Sequence, residues 1–452
     1  MTAFAAARPS GIRVARSPAE QQIGLALAYL GLVALTCAMT VAGLGSVARP
    51  FYIFSGIGFA AFTIGRSPWL YVTATLWFWL VTAFVRRFIE WRTGFNPTDI
   101  ILATPNLLMM FMLRDVLTTP GLLTRPDARP ALAATVAVGY GICVSFFCGD
   151  VIPGAVAAAD WLAPSLYFFF ILANSEKIGL VEPHLRQFLL LSMIVTISYG
   201  LYQYFYMPEW DALWMIGANT VSIGLPLPME SRAFGTTNNP TFLAIWMAAC
   251  VLLGPHFRSK ALAVMVPFAI FVLLITFVRA VYISLALALA VAAVLGRGGA
   301  ALKSLLAAGM VLMTVWVGME MVNPVVADRV ITRLESLQKL EADGSAQDRQ
   351  ILYQETPELI NGHPIGLGIG ALGRGAVAGN NGLVSVDSAL LSIYLALGWR
   401  AGTVYIAGLI LLVVRAMAAA WRQRFPLAVM FACAALASLA LFPFANISNF
   451  DA

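Results

Sequence analysis

The chain has 452 residues, 60% of them hydrophobic and only 11% charged, with a mean hydropathy of +0.83. A soluble domain carries about 25% charged residues, so this composition excludes a soluble globular protein and points to many membrane spans. The net charge of +6 is assigned to basic cytoplasmic loops that set topology, and nucleic-acid binding is set aside.

The first 22 residues, "MTAFAAARPSGIRVARSPAEQQ", are polar and basic. The apolar run from Ile23 to Gly45 carries no charge and is too long for the core of a signal peptide. It is read as a retained first span with the tail inside. Further apolar runs follow at 51–64, 68–85, 99–113, 131–149, 156–174, 187–206, 240–254, 262–278, 280–296, 304–322, 401–418 and 425–447, each near the length that crosses a bilayer as helix. The expected fold is an all-α polytopic membrane protein with about 12–14 transmembrane helices and one long extracytoplasmic loop containing short helices. The divisions are a cytoplasmic tail (1–22), a transmembrane domain (23–322), the extracytoplasmic loop (323–400) and C-terminal transmembrane helices (401–452).

With the tail inside, the short basic loops Arg114–Arg129, Pro255–Lys260, Gly296–Lys303 and Arg415–Arg424 fall on the cytoplasmic side, as the positive-inside rule requires. "RRFIEWR", Arg86–Arg92, falls outside and breaks the rule. A miscounted or re-entrant segment is the preferred explanation. The same count leaves the C-terminus outside. Three stretches share the outer side: Met207–Asn239, the turn at Arg279, and the long loop from Asn323 to Arg400.

Cys37, Cys143, Cys148, Cys250 and Cys433 all lie in apolar segments and read as small core residues. The three histidines, His184, His256 and His363, are far apart, and no D-x-D run occurs, so neither a metal nor another cofactor is expected. "HPIGLGIGALGRG", His363–Gly375, contains G-x-G-x-x-G. A dinucleotide loop needs a strand before it and a helix after it. Here the run lies in the outer loop, so the dinucleotide reading is rejected in favour of glycines that turn the backbone tightly against the membrane domain.

The candidate chemistry sits on the outer side. Arg279 alone interrupts more than thirty apolar residues. Either it caps a hairpin of two short spans, or it faces a polar cavity and binds an anion. Arg232 precedes "GTTNNP", where Pro240 opens a helix. It stands either beside an anion site at a helix N-terminus or beside an ordinary capped start. In the long loop, Ile331, Leu334, Leu337 and Leu340 recur at helical spacing, as in a helix lying on the membrane surface. Ser345 and Asp348 resemble a capping box opening a second helix with Arg349, Tyr353 and Glu355, a solvated face being the alternative. Asp387 stands at the start of an apolar helix, where it either caps the helix or acts as a base. Asp160 is a further charge within a span. No internal repeat is visible, which weighs against an inverted-repeat transporter. Three arginines converging outside would clamp a pyrophosphate, since guanidinium groups bind phosphate oxygens bidentately.

Four segments, in order, resemble the O-antigen ligase/polymerase superfamily of bacterial membrane glycosyltransferases over about residues 185–420: "RAFGTTNNPTFLA", "FVRAVYISLALAL", "DRQILYQETPELINGHPIGLGIGALG" and "VDSALLSIYLALGWRAG". Where ligases of that family place a histidine, this chain has Asp387. The resemblance therefore implies a Wzy-type polymerase of exopolysaccharide or O-antigen in the bacterial inner membrane, its site facing the periplasm. The implied substrate is an undecaprenyl-diphosphate-linked glycan, transferred with inversion and without metal or cofactor. Arg279 and Arg349 would bind the diphosphate, with Arg232 supporting. Asp387 would be the base or orient the acceptor, and Asp387, Arg349 and Arg279 form the implied catalytic set. Tyr353 and His363 complete the substrate-binding set, His363 mainly shaping its loop. Membrane lipids, a chain-length regulator and a flippase are the further candidate partners. A ligase acting on a lipid A core or protein, and a lipid-linked glycan flippase, are the alternatives.

Overall fold

The structure is a computed structural model. It describes residues 17–295 apart from 149, 220 and 258, residues 353–373 apart from 355, residues 388–443 apart from 424 and 425, and a few isolated residues between these stretches. Nearly all of the span expected at 304–322 and of the surface helix expected at 331–340 lies outside the described residues, as do the capping box at Ser345, Glu355, Arg349 and Asp387.

The chain is an all-α polytopic membrane protein. Among the described residues, eight helices are long and apolar enough to cross a bilayer, and four shorter apolar helices join them. The helices are α1 (Pro18–Val41), α2 (Gly45–Ile64), α3 (Pro68–Thr93), the broken pair α4 (Thr104–Met109) and α5 (Met112–Thr118), α6 (Arg129–Phe147), α7 (Val151–Ala173), α8 (Val181–Tyr206), α9 (Glu209–Gly217), α10 (Pro240–Leu253), α11 (Lys260–Ile275), α12 (Arg279–Leu295), α13 (Ala389–Gln423) and α14 (Pro426–Ala440). Their starts follow from local chemistry. Ser17 and Glu20 close a capping box on α1. Asn239 caps α10, with Pro240 at its first position.

Aromatic packing holds the first helices together. The Tyr29 and Tyr52 hydroxyls lie 2.8 Å apart, and Tyr52 reaches Thr82 at 3.0 Å. Each buried hydroxyl thereby finds a partner where no water competes. Tyr29 and Tyr52 both pack against Phe78, with ring centroids 4.7 and 5.5 Å from it. Asn106 of α4 donates to Asp160 of α7 at 2.6 Å, so this intramembrane carboxylate ties the broken segment to its neighbour.

Two expectations change. "RRFIEWR" is not a loop. It forms the last turns of α3, where Arg86 and Arg87 are buried. Two of the three charges that break the positive-inside rule, Arg86 and Arg87, are paired inside the protein, and the third, Arg92, is exposed. The expected start of the outer loop's final helix is extended: α13 begins at Ala389 and is broken at Gly398 (φ 68°), two residues before the boundary drawn at 400.

That break explains the glycine run. Interrupting α13 frees the carbonyls of Leu395 and Ala396, which accept the N–H groups of Leu367 and Gly368 at 2.9 Å each. Gly370 donates to Ser145 Oγ of α6 at 2.9 Å. Irregular backbone is tolerated within a membrane bundle only where such partners exist. At Gly368 (φ 87°) a Cβ would sit 2.7 Å from both N and Cα of Ser145. The glycines thus bring backbone against backbone. Gly368→Ala is expected to destabilise the fold by about 2–5 kcal/mol, combining left-handed strain with overpacking. Gly362→Ala, where nothing lies within 4 Å, should leave the thermal midpoint in detergent near wild type. Equal midpoints for the two variants would refute this account.

Candidate functional site

Adjacent arginines on a helix point about 100° apart, so Arg86 and Arg87 reach different partners. Arg86 Nε donates to Glu90 one turn on at 2.8 Å, and its Nη2 donates to Asn96 O at 2.7 Å. Arg87 turns the other way. Its Nε donates to Asp211 Oδ1 at 2.7 Å, its Nη1 to Thr237 O at 2.6 Å and Asn238 Oδ1 at 2.7 Å, and its Nη2 to Gly235 O at 2.6 Å. The second Asp211 oxygen accepts from Tyr199 at 2.8 Å and Gln203 at 2.6 Å. Gln203 Oε1 in turn accepts the N–H groups of Phe234 and Gly235 at 2.9 and 2.7 Å. Both charged side chains are fully buried. A buried pair persists only when its remaining donors and lone pairs are satisfied, and here they fasten α3, α8 and α9 to the segment that leads into α10.

That segment carries Arg232. The Ala233 N–H donates to Ile275 O at 3.0 Å, laying the segment across the end of α11. Arg232 Nε then donates to Thr276 O at 3.2 Å and its Nη2 to Phe277 O at 2.8 Å. A cation there satisfies carbonyls left over at a helix C-terminus and suits its dipole. Phe277 adopts φ 53°, a conformation that costs a residue with a Cβ about 1–2 kcal/mol. The strained turn follows α11, and α12 begins at Arg279 two residues later.

Arg279 therefore stands at a helix start and not within a continuous helix. It marks the turn between helices of 16 and 17 residues, about 24–26 Å long, and is partly exposed. The turn at residues 276–278 sets Arg279 at the first position of α12. It does not dispose of anion binding. A cation at the positive end of a helix dipole is unfavourable, and the first turn of α12 holds no acidic residue. The Arg232 guanidinium thus reaches the turn from which the N-terminus of α12 starts with Arg279, a combination of cation and helix N-terminus of the kind that binds anions.

Tyr353 occupies a neighbouring position. Its hydroxyl donates to Pro443 O at 2.8 Å and meets Ser388 Oγ at 3.1 Å. Ser388 accepts the Leu391 N–H at 3.4 Å, capping the start of α13. The Leu390 N–H donates to Phe442 O at 3.1 Å, joining the start of α13 to the end of α14. Leu441 and Ser438 line a small cavity together with Val281 and Ser284 of α12. The Arg232–Arg279 group and the Tyr353–Ser388 group therefore lie at one end of the bundle, bridged by the end of α14. Tyr353→Phe removes two neutral hydrogen bonds at a partly exposed site and should lower stability by about 1 kcal/mol, read as a small fall in the thermal midpoint. An unchanged midpoint would show that the tie contributes nothing.

His363 stands apart. It is exposed, its N–H donates to Ile360 O at 3.0 Å and its carbonyl accepts the Gly366 N–H at 2.8 Å. The turn it forms leads to Ile365, whose carbonyl accepts from Tyr140 of α6 at 2.9 Å.

Sequence reading missed the Arg87–Asp211 hub. The signal was present: two arginines on the wrong side of the membrane, within an aromatic-rich run, are charges that need partners. The sequence did not show which partners. No known protein-family model and no curated protein matches the chain.

Proposed function

We propose that the chain is a glycosyltransferase that polymerises undecaprenyl-diphosphate-linked repeat units into a surface polysaccharide or exopolysaccharide. The reaction takes place at the periplasmic face of a bacterial inner membrane. The observation that carries the reading is the meeting of Arg232 with the turn that launches Arg279, at a helix N-terminus lacking acidic residues. Always-charged guanidinium groups suit a diphosphate leaving group, because they neutralise developing charge without a proton of their own. The order of the four motifs in the sequence supplies the rest of the case. In this reading Arg279 and Arg349 hold the diphosphate, and Arg232 supports them by fixing the turn. Asp387, next to the Ser388 that Tyr353 contacts, takes the proton from the acceptor hydroxyl. The sugar C–O bond to the diphosphate breaks as the acceptor oxygen bonds to the opposite face of the sugar.

The test is the lipid-linked glycan profile of a strain lacking the protein. Single repeat units accumulating on the carrier, with loss of long chains, is the expected result. Long chains that persist on the carrier but never reach a final acceptor would replace the polymerase with a ligase. Repeat units trapped on the cytoplasmic side would replace it with a flippase.

A further inference from the structure

A groove of about 280 Å³ runs between α3, residues 102–105 and α10, open along one side. Its lining is almost wholly apolar, with Trp79 and Trp246 as the largest side chains and Leu76 and Ala249 at the far end. Thr237 and Asn238 form the other end, where Arg87 is bound. From Asn238 to Ala249 the groove follows α10 for about 16 Å at the helical rise. That is half of a hydrocarbon core about 30 Å thick, the depth of one leaflet. A helix, about 10 Å across with its side chains, does not fit so small a volume. An extended hydrocarbon chain does.

The polar end also has a defined chemistry. Asn238 is 9% exposed. Its Oδ1 accepts from Arg87 Nη1, and a guanidinium only donates, so the orientation of the amide is fixed. The Asn238 –NH2 group is left with no partner among the described residues, at the polar end of the groove. Two donors there call for phosphate or ester oxygens. We infer that the groove holds one acyl chain of a bilayer glycerophospholipid, its head-group oxygens on Asn238. The fit to a single leaflet selects an acyl chain over a polyprenyl chain, which would overrun the groove. This site stands apart from the glycosyl-transfer reading, since binding is read without turnover.

The experiment places the full-length protein in nanodiscs of phosphatidylethanolamine and phosphatidylglycerol with a trace of phosphatidylglycerol carrying a diazirine midway along one chain. After irradiation the labelled peptides are mapped. Labelling is expected to concentrate on residues 76–83 and 242–249. It should fall at least fivefold in Ala249→Trp, which fills the groove, while label on the exposed side chains of α1 is unchanged. Ala83→Phe blocks the groove nearer its polar end and provides a second variant should the first not fold. Asn238→Asp keeps an acceptor for Arg87 and replaces the donors with an anion, so groove labelling by phosphatidylglycerol should drop severalfold. Label spread evenly over the lipid-facing helices, or indifferent to both filling variants, overturns the site. Displacement of the phospholipid from the groove by a diazirine-bearing polyprenyl phosphate overturns the choice of occupant.

Discussion

Arg279→Ala is expected to abolish long-chain glycan and leave single repeat units on the carrier lipid, with turnover lowered about 10²–10³-fold. Losses of that size follow removal of one preorganised group that stabilises transition-state charge. The protein should still fold, because Arg279 sits at a partly exposed turn and the strained residues before it are held by Arg232. Arg279→Lys keeps the charge and loses the planar fork, so an intermediate rate is expected. Arg232→Ala should give a mixed result. It removes a cation from the site, and it also releases the Thr276 and Phe277 carbonyls, so stability and turnover fall together. The measurement is repeat-unit consumption by purified protein in nanodiscs, beside a thermal midpoint for each variant. Full turnover in Arg279→Ala would remove the anion role and leave the residue as the start of a helix.

Arg87→Ala should be the most destabilising substitution in the protein. It leaves Asp211 buried without its cation, and breaking a buried pair costs about 3–5 kcal/mol. It also strips the Gly235 and Thr237 carbonyls and Asn238 of their shared donor, which loosens the segment that positions Arg232. A low yield of folded protein is expected, so the decisive comparison uses the double variant Arg87→Met with Asp211→Asn. Removing both charges should be less damaging than the sum of the single changes, because neither partner is then left ionised in an apolar setting. Additive midpoint shifts across this cycle would show that the two side chains do not act as a pair.

The Arg87 result separates what the sequence could say from what it could not. Helices in a bilayer must satisfy their own backbone groups, so run length and caps written in a few neighbouring residues determined most of them. Ser17 with Glu20, and Asn239 with Pro240, are examples. Arg279 was legible for the same reason: one charge in a long apolar run is visible without knowing its surroundings. The side-chain partners were not legible. Arg87 and Asp211 are 124 residues apart, and no local pattern in "RRFIEWR" distinguishes a loop charge from a buried one. Only the packing of α3 against α8 and α9 decided that these arginines end inside the protein. The glycine run followed the same rule. Its composition announced a tight turn, but its seat depended on the break of α13 at Gly398, which freed two carbonyls for it. The sequence by itself determined the class of fold, most of the helices and the lone charge at Arg279. Tertiary structure decided which charges are paired and which converge at one end of the bundle, because in an apolar solvent a polar group is defined by the partner it meets.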